Sequence, residues 1–170
     1  MAETTVTGYK LRESLKYWGL RRDAASQAFS GSLHKFKGEE KKRPEEIARD
    51  LIQAEHKVFR LQVAQMQYNL QVSVTLFGCQ ISLAEAIKRI ALAGKVVKMW
   101  TTAGAPPRHS YLSVSLVRDA TQERAQPVLT PEELLELSTK ASQDCEALRT
   151  AIAVGNAQEV TLDLDPGLLR

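Results

Sequence analysis

The sequence lacks any long uninterrupted run of apolar residues. No stretch approaches the roughly 18 residues that a membrane-spanning helix requires, so we expect a chain that does not cross a membrane. The first residues, MAETTVTGYK, contain no basic segment followed by an apolar one, which predicts no secretory signal and a cytoplasmic location. Because 44% of the residues are hydrophobic, the chain can still build a core, and we expect one domain over residues 1–170.

Cysteine and histidine are scarce. Cys79 and Cys145 have neither CxxC nor metal-site spacing, which suits a reducing compartment. His34, His56 and His109 do not recur at the i, i+3 or i, i+4 spacing that zinc sites use. The sequence therefore predicts no metal site.

The short motifs of common catalytic and nucleotide sites are also missing. The chain contains no GxGxxG, GxxxxGK[ST], GxSxG or HExxH. Glu132 and Glu133 stand in the first turn of a predicted helix, where the helix dipole already explains them. Asp163 and Asp165 alternate with apolar residues, as in an amphipathic strand. We therefore predict no catalytic residue and no cofactor, and an enzyme whose site forms between subunits is our third hypothesis.

Helical periodicity dominates what the sequence does contain. From Pro44 to Tyr68 apolar residues recur at alternating spacings of four and three, typical of a helix that packs lengthwise on another. Patterns and caps predict helices over about 9–30, 44–68, 83–101 and 131–154, and alternation predicts strands over 70–77, 111–117 and 159–164. The expected fold class is mainly α with a minor α+β character: a helical bundle with long antiparallel helices and a small β element.

A second apolar row widens the stripe on the helix predicted over 44–68. Its members are Ile52, Phe59, Val63 and Met66. A stripe this wide indicates contact with more than one neighbour, including a second copy of the chain in a coiled-coil arrangement. Our first hypothesis is therefore a non-enzymatic structural or interaction protein. It would act as a homo-oligomer, or with other protein subunits in a larger assembly such as a phage particle, which would make it virion-associated.

The charges are unevenly distributed, with a basic excess in residues 1–43 and an acidic excess in residues 119–170. Basic and acidic surfaces could meet within the fold or between subunits, and a basic surface could also bind nucleic acid. The second hypothesis is therefore nucleic-acid binding through a basic first helix and the loop after it. The candidate residues are Lys10, Arg12, Lys16, Arg21, Arg22, Lys35, Lys37, Lys41, Lys42 and Arg43.

One part of the chain also resembles a known family. From Tyr68-Asn69 through Gly78 to the run Ile81–Arg89, the sequence is similar to septicolysin-like proteins, a family of small, poorly characterised bacterial proteins. In that family a long helix closes on an asparagine, a short extended segment with glycine follows, and another helix opens. The resemblance implies a mostly helical bundle with long paired helices, and it implies no established activity.

Overall fold

The computed structural model describes residues 3–34, 38–39, 42–104 and 128–170. Within them the fold is mainly α with a small β element, which confirms the predicted class. The helices are α1 (Gly8–Ser32), α2 (Pro44–Gln71), α3 (Leu83–Ala103) and α4 (Pro131–Ala157), and the strands are β1 (Glu3–Thr7), β2 (Ser73–Leu76), β3 (Cys79–Ser82) and β4 (Glu159–Asp163). The strand predicted over 111–117 lies outside the described residues.

The described residues fall into two compact units, and the single domain that the sequence indicated stays a prediction. The first unit comprises Met1–Ile87 and Ala151–Arg170, and the second comprises Lys88–Thr150. The helices α3 and α4 each contribute residues to both units. The first unit contains both two-stranded sheets and the whole of α1 and α2.

An antiparallel pair of long helices, α1 and α2, forms the core of the first unit. Leu11 on α1 and Leu61 on α2 are both completely buried. Pro44 occupies the first turn of α2, where its missing N–H costs no hydrogen bond, and Glu45 beside it complements the positive end of the helix dipole. Burial of the apolar stripe along both helices explains why the pair forms.

The segment after α2 differs from the prediction of a strand over 70–77. The helix continues to Gln71, and the Val72 amide still donates to the Tyr68 carbonyl oxygen at 3.0 Å. Of the predicted strand, only Ser73–Leu76 pairs as a strand, because the helical hydrogen bonds reach further than the alternating pattern suggested. A two-residue turn at Phe77 (φ 49°) and Gly78 (φ 80°) then leads into β3, a strand that we did not predict.

A second two-stranded sheet joins the two ends of the first unit. β1 pairs antiparallel with β4, and Thr5 lies opposite Thr161. β4 lies within the strand predicted over 159–164, whereas β1 was not predicted. Val6 and Leu162 point into the core and are buried. The sheet is therefore held by its buried face as well as by its hydrogen bonds.

α4 runs to Ala157, beyond the predicted end at residue 154. Gly155 belongs to this last turn because the helix there comes very close to its neighbours. A Cβ on Gly155 would lie 2.7 Å from Val74 Cγ1 and 3.0 Å from Leu83 Cδ1. Gly155 therefore permits close packing within α4 and does not end the helix.

The second unit contains the remainder of α3 and α4. At the start of α4, Thr130 and Glu133 form a reciprocal cap. The Thr130 amide donates to Glu133 Oε2 at 2.7 Å, and the Glu133 amide donates to Thr130 Oγ1 at 3.2 Å. Further along α4, Ala141, Cys145 and Leu148 are buried, so Cys145 packs as a small hydrophobic residue.

Candidate interaction surface

The inner face of α2 is the one that packs against the rest of the first unit. Ile47, Ala54, Leu61 and Tyr68, which follow one another at intervals of seven residues, are all buried. Val58 on the same side is buried as well. The predicted 4-3 stripe is therefore the face that α2 turns towards its own chain.

The opposite face of α2 carries a row of exposed apolar side chains. We call it the outer row, and its members are Ile52 (58% exposed), Phe59 (66%), Val63 (39%), Met66 (66%) and Leu70 (68%). The first four are the predicted interface residues, and none of them contributes to the core of this chain. Leu70 was missed because the alternating pattern placed it in a strand. The outer row thus spans 19 residues of helix, about 28 Å.

The outer row has a regular spacing once His56 is included. Positions 52, 56, 59, 63, 66 and 70 alternate in steps of four and three, which is the heptad pattern of a coiled-coil seam. His56 is exposed, like the apolar residues on either side of it. Polar side chains flank the row on both edges: Glu55, Gln62 and Asn69 on one edge and Gln53, Arg60 and Gln67 on the other. The arrangement is therefore a narrow apolar stripe with polar borders.

The predicted basic residues on α1 lie on different sides of that helix. At about 100° per residue, Lys10 and Arg21 share one flank, and Arg12 and Lys16 share the opposite one. Arg22 is committed to carboxylates: it contacts Asp23 at 2.8 Å and Glu55 at 3.8 Å. The hydrogen bond from Arg22 and the charge of Asp23 raise the pKa of the guanidinium. The α1 residues therefore do not form one basic face.

The remaining predicted basic residues follow α1. Lys42 Nζ lies 4.0 Å from Asp50, and the Arg43 carbonyl oxygen accepts the Glu46 amide at 3.0 Å as α2 begins. Lys35, Lys37 and Lys41 lie outside the described residues.

A basic cluster around two aromatic rings was not predicted. Arg21, Lys57 and Arg170 come from α1, α2 and the segment after β4, and all three approach the ring of Trp18. The shortest approach is 3.7 Å, from Lys57 Nζ to the ring centroid. Arg21 and Arg170 also contact the ring of Tyr17, at 5.5 and 5.1 Å. Residues so distant in the chain share no local pattern, so only the fold brings them together.

The candidate metal and acid-base groups do not converge in the part of the chain that the structure describes. No three His, Cys, Asp or Glu side chains among these residues come close enough to hold a metal ion. His34 and His56 are both exposed, and His109 lies outside the described residues. Tyr68 has a shifted titration, since burial raises the pKa of its hydroxyl, and that hydroxyl lies 2.7 Å from the carbonyl oxygens of Gly155 and Gln158. This buried tyrosine is a packing residue.

Among the described helices, none combines the length and the apolar character needed to span a bilayer. Comparisons with known protein families, curated proteins and solved structures find no match for this chain.

Proposed function

We propose that this protein is a non-enzymatic structural or interaction protein that self-associates through the outer row of α2. It would act in the cytoplasm as a homo-oligomer, or as one component of a larger assembly such as a phage particle. The observation that supports this most is the outer row itself. Five large apolar side chains lie in line on one helix face, and four of them are more than half exposed.

An apolar row of this kind is unusual on a surface that faces only water. Single exposed apolar residues are common, but contiguous apolar patches mark interaction sites. Fully burying a side chain such as Ile52, Phe59 or Met66 contributes about 1.5–3 kcal/mol each before the cost of association is subtracted. Self-association gives these side chains a buried environment that the described residues of one chain do not provide.

Light scattering on matched variants tests the proposal. Phe59→Lys places a charge at the centre of the outer row, and Leu20→Lys places the same charge at a leucine on α1 that is 62% exposed and lies outside the row. We expect the native chain and Leu20→Lys to have a mass above 18.9 kDa and Phe59→Lys to approach that value. A native mass of 18.9 kDa at every concentration would contradict the proposal, as would equal loss of mass in both variants.

The cluster around Tyr17 and Trp18 favours nucleic-acid binding as a second candidate function. Cationic side chains beside a half-buried aromatic ring are a common way of holding a phosphate backbone and a base. If this surface binds single-stranded RNA or DNA, Arg21→Glu together with Arg170→Glu should abolish salt-sensitive retention of an oligonucleotide. Lys95→Glu together with Lys98→Glu on α3, both at exposed positions, is the charge-matched control and should retain it. Equal retention by both would exclude the surface.

A further inference from the structure

The charged residues that flank the outer row indicate the direction in which the α2 helices of two copies would pair. We propose that the α2 helices of two copies pair in parallel and in register, as a two-stranded coiled coil. This inference rests on the proposed function, because it specifies the geometry of the same contact. In heptad terms, the d positions are Ile52, Phe59 and Met66, and the a positions are His56, Val63 and Leu70.

The width of the outer row favours two strands over three or more. An apolar stripe confined to a and d positions is a two-stranded seam, whereas larger bundles bury additional apolar positions at e or g. Here the e positions are Gln53, Arg60 and Gln67 and the g positions are Glu55, Gln62 and Asn69. The polar borders therefore leave room for one partner helix.

The partner helix would approach from the side away from α1. The residues at the f positions of α2, opposite the seam, are Ile47, Ala54, Leu61 and Tyr68, and all are buried within the chain. A helix seated on the outer row consequently does not compete with α1 for contact. The contact of α2 with α1 and its contact with the partner helix therefore use opposite faces of α2.

Charge complementarity selects the parallel direction. In a parallel dimer a g residue faces the e residue five positions later in the partner, so Glu55 faces the partner's Arg60, and symmetry gives the pair twice. The Glu55 side chain is 55% exposed, so it is accessible to the partner even though its carboxylate also lies 3.8 Å from Arg22 Nε of its own chain. One step along, Gln62 faces the partner's Gln67, and two amides can exchange hydrogen bonds.

The antiparallel alternative brings like charges together. Complete overlap of the outer row would set Ile52 opposite the partner's Leu70, and the two-fold axis would then pass close to Arg60. Each Arg60 would lie beside the partner's Arg60. Glu55 would face the partner's Asn69, which carries no charge. Two guanidinium groups in contact are unfavourable, whereas the parallel arrangement pairs both of them with carboxylates.

His56 fixes the register of the parallel pair. It faces the partner's His56, so the one polar position of the seam is matched with itself. A shift by one heptad would place one imidazole against the partner's Val63 and the other against the partner's Arg49, and it would set one of the two Ile52 side chains against the partner's Glu45. A single polar a position is known to specify alignment in this way, at some cost in stability.

Disulfide trapping tests the direction. All variants carry Cys79→Ser, which removes an exposed thiol. Oxidised glutathione is added to one sample that contains only Ile52→Cys chains and to a second sample that mixes Ile52→Cys chains with Leu70→Cys chains. In the parallel dimer the two substituted positions 52 are adjacent, within the 4.4–6.8 Å Cα separation that a disulfide allows. In the antiparallel dimer they are about 27 Å apart, and position 52 of one chain meets position 70 of the other.

We expect Ile52→Cys chains to cross-link with one another at least about tenfold faster than Leu20→Cys chains, the control for random collision. Cross-linking of Ile52→Cys only to Leu70→Cys would overturn the parallel pairing while leaving self-association intact. An oligomer that forms neither disulfide would also overturn the pairing. Absence of both disulfides in a chain of 18.9 kDa would overturn the proposed function as well.

A charge-reversal set gives an independent measurement on chains without added thiols. Glu55→Arg and Arg60→Glu each turn an attractive pair into a repulsive one, and each should weaken association at least about threefold to fivefold. The double variant Glu55→Arg with Arg60→Glu restores opposite charges and should recover the native value. If the double variant associates no better than the single ones, the Glu55 contact with the partner's Arg60 does not exist.

Discussion

The indole Nε1 of Trp18 donates a hydrogen bond to the carbonyl oxygen of Leu168 across 3.0 Å. Both residues are buried, at 5% and 4% exposure, although 150 positions separate them. Two residues further on, the Arg170 amide donates to the buried hydroxyl of Ser14 at 3.0 Å. These two bonds fasten the segment after β4 to α1.

Trp18→Phe should therefore destabilise the first unit. The substitution keeps an aromatic ring but removes the donor, so the Leu168 carbonyl loses its buried partner and part of the packing under Lys57 is lost. We expect the free energy of unfolding to fall by about 1–3 kcal/mol, measured by urea denaturation. Tyr17→Phe is the control and should change it by less than about 0.5 kcal/mol. Equal free energies of unfolding for the two variants would show that this hydrogen bond does not stabilise the first unit.

Two glycines on α1 should respond oppositely to the same substitution. A Cβ on Gly8 would overlap the Asn156 side-chain oxygen and lie 2.8 Å from Tyr68 Cε1, whereas a Cβ on Gly19 meets nothing within 4 Å. Gly8→Ala should lower the free energy of unfolding by about 1–3 kcal/mol through overpacking. Gly19→Ala should raise it by about 0.5–1 kcal/mol through helix propensity. Thermal melts of both variants decide this, and stabilisation by Gly8→Ala would refute the close contact.

Tyr68 should make the protein sensitive to alkali. Burial raises the pKa of its hydroxyl above the ordinary value of 10.0, and the Gly8 backbone opposes part of that shift. The folded state then retains the proton that the unfolded state releases, so this stabilisation is complete below pH 10.0 and is lost as the pH rises towards the folded pKa. Between about pH 9 and 11, Tyr68→Phe should show a smaller fall in stability than the native chain in urea titrations. Parallel curves would contradict this.

His56→Leu should strengthen self-association. The imidazole is the one polar side chain in the seam formed by the outer row, and leucine would extend the apolar contact between Ile52 and Phe59. We expect the dimer dissociation constant to fall at least about tenfold, because each copy then buries an additional apolar side chain. Sedimentation velocity over a dilution series measures it, and Gln53→Leu at the edge is the control. A greater effect of Gln53→Leu would place the contact elsewhere on α2.

The sequence was most informative where one period persisted over many residues. The long amphipathic pattern predicted α2 because repeated burial of residues such as Leu61 and Tyr68 outweighs local preferences. It was least informative for β1 and β3, strands of five and four residues whose partners are set by the fold. The end of α4 was misjudged because Gly155 serves close packing with Val74, which no local pattern reveals.

The residues of the candidate surface were also predictable from the sequence only in part. Ile52, Phe59, Val63 and Met66 could be selected from the sequence because they repeat on one helix, but their exposure depends on which face α1 covers. The basic residues of α1 are close together in the sequence, but the helix places them on opposite flanks. Arg170 and Arg21 approach the same Trp18 ring only because of the fold, and no sequence pattern links residues so far apart.

The solution mass of the native chain at low and high salt tests the central claim most directly. Contacts between apolar side chains persist at high ionic strength, whereas contacts between exposed charges are screened. We predict a mass of about twice 18.9 kDa by sedimentation equilibrium, both at roughly 50 mM and at roughly 1 M sodium chloride. A mass of 18.9 kDa at every protein concentration, or an oligomer that dissociates at the higher salt, would contradict the account of the outer row as the contact between copies.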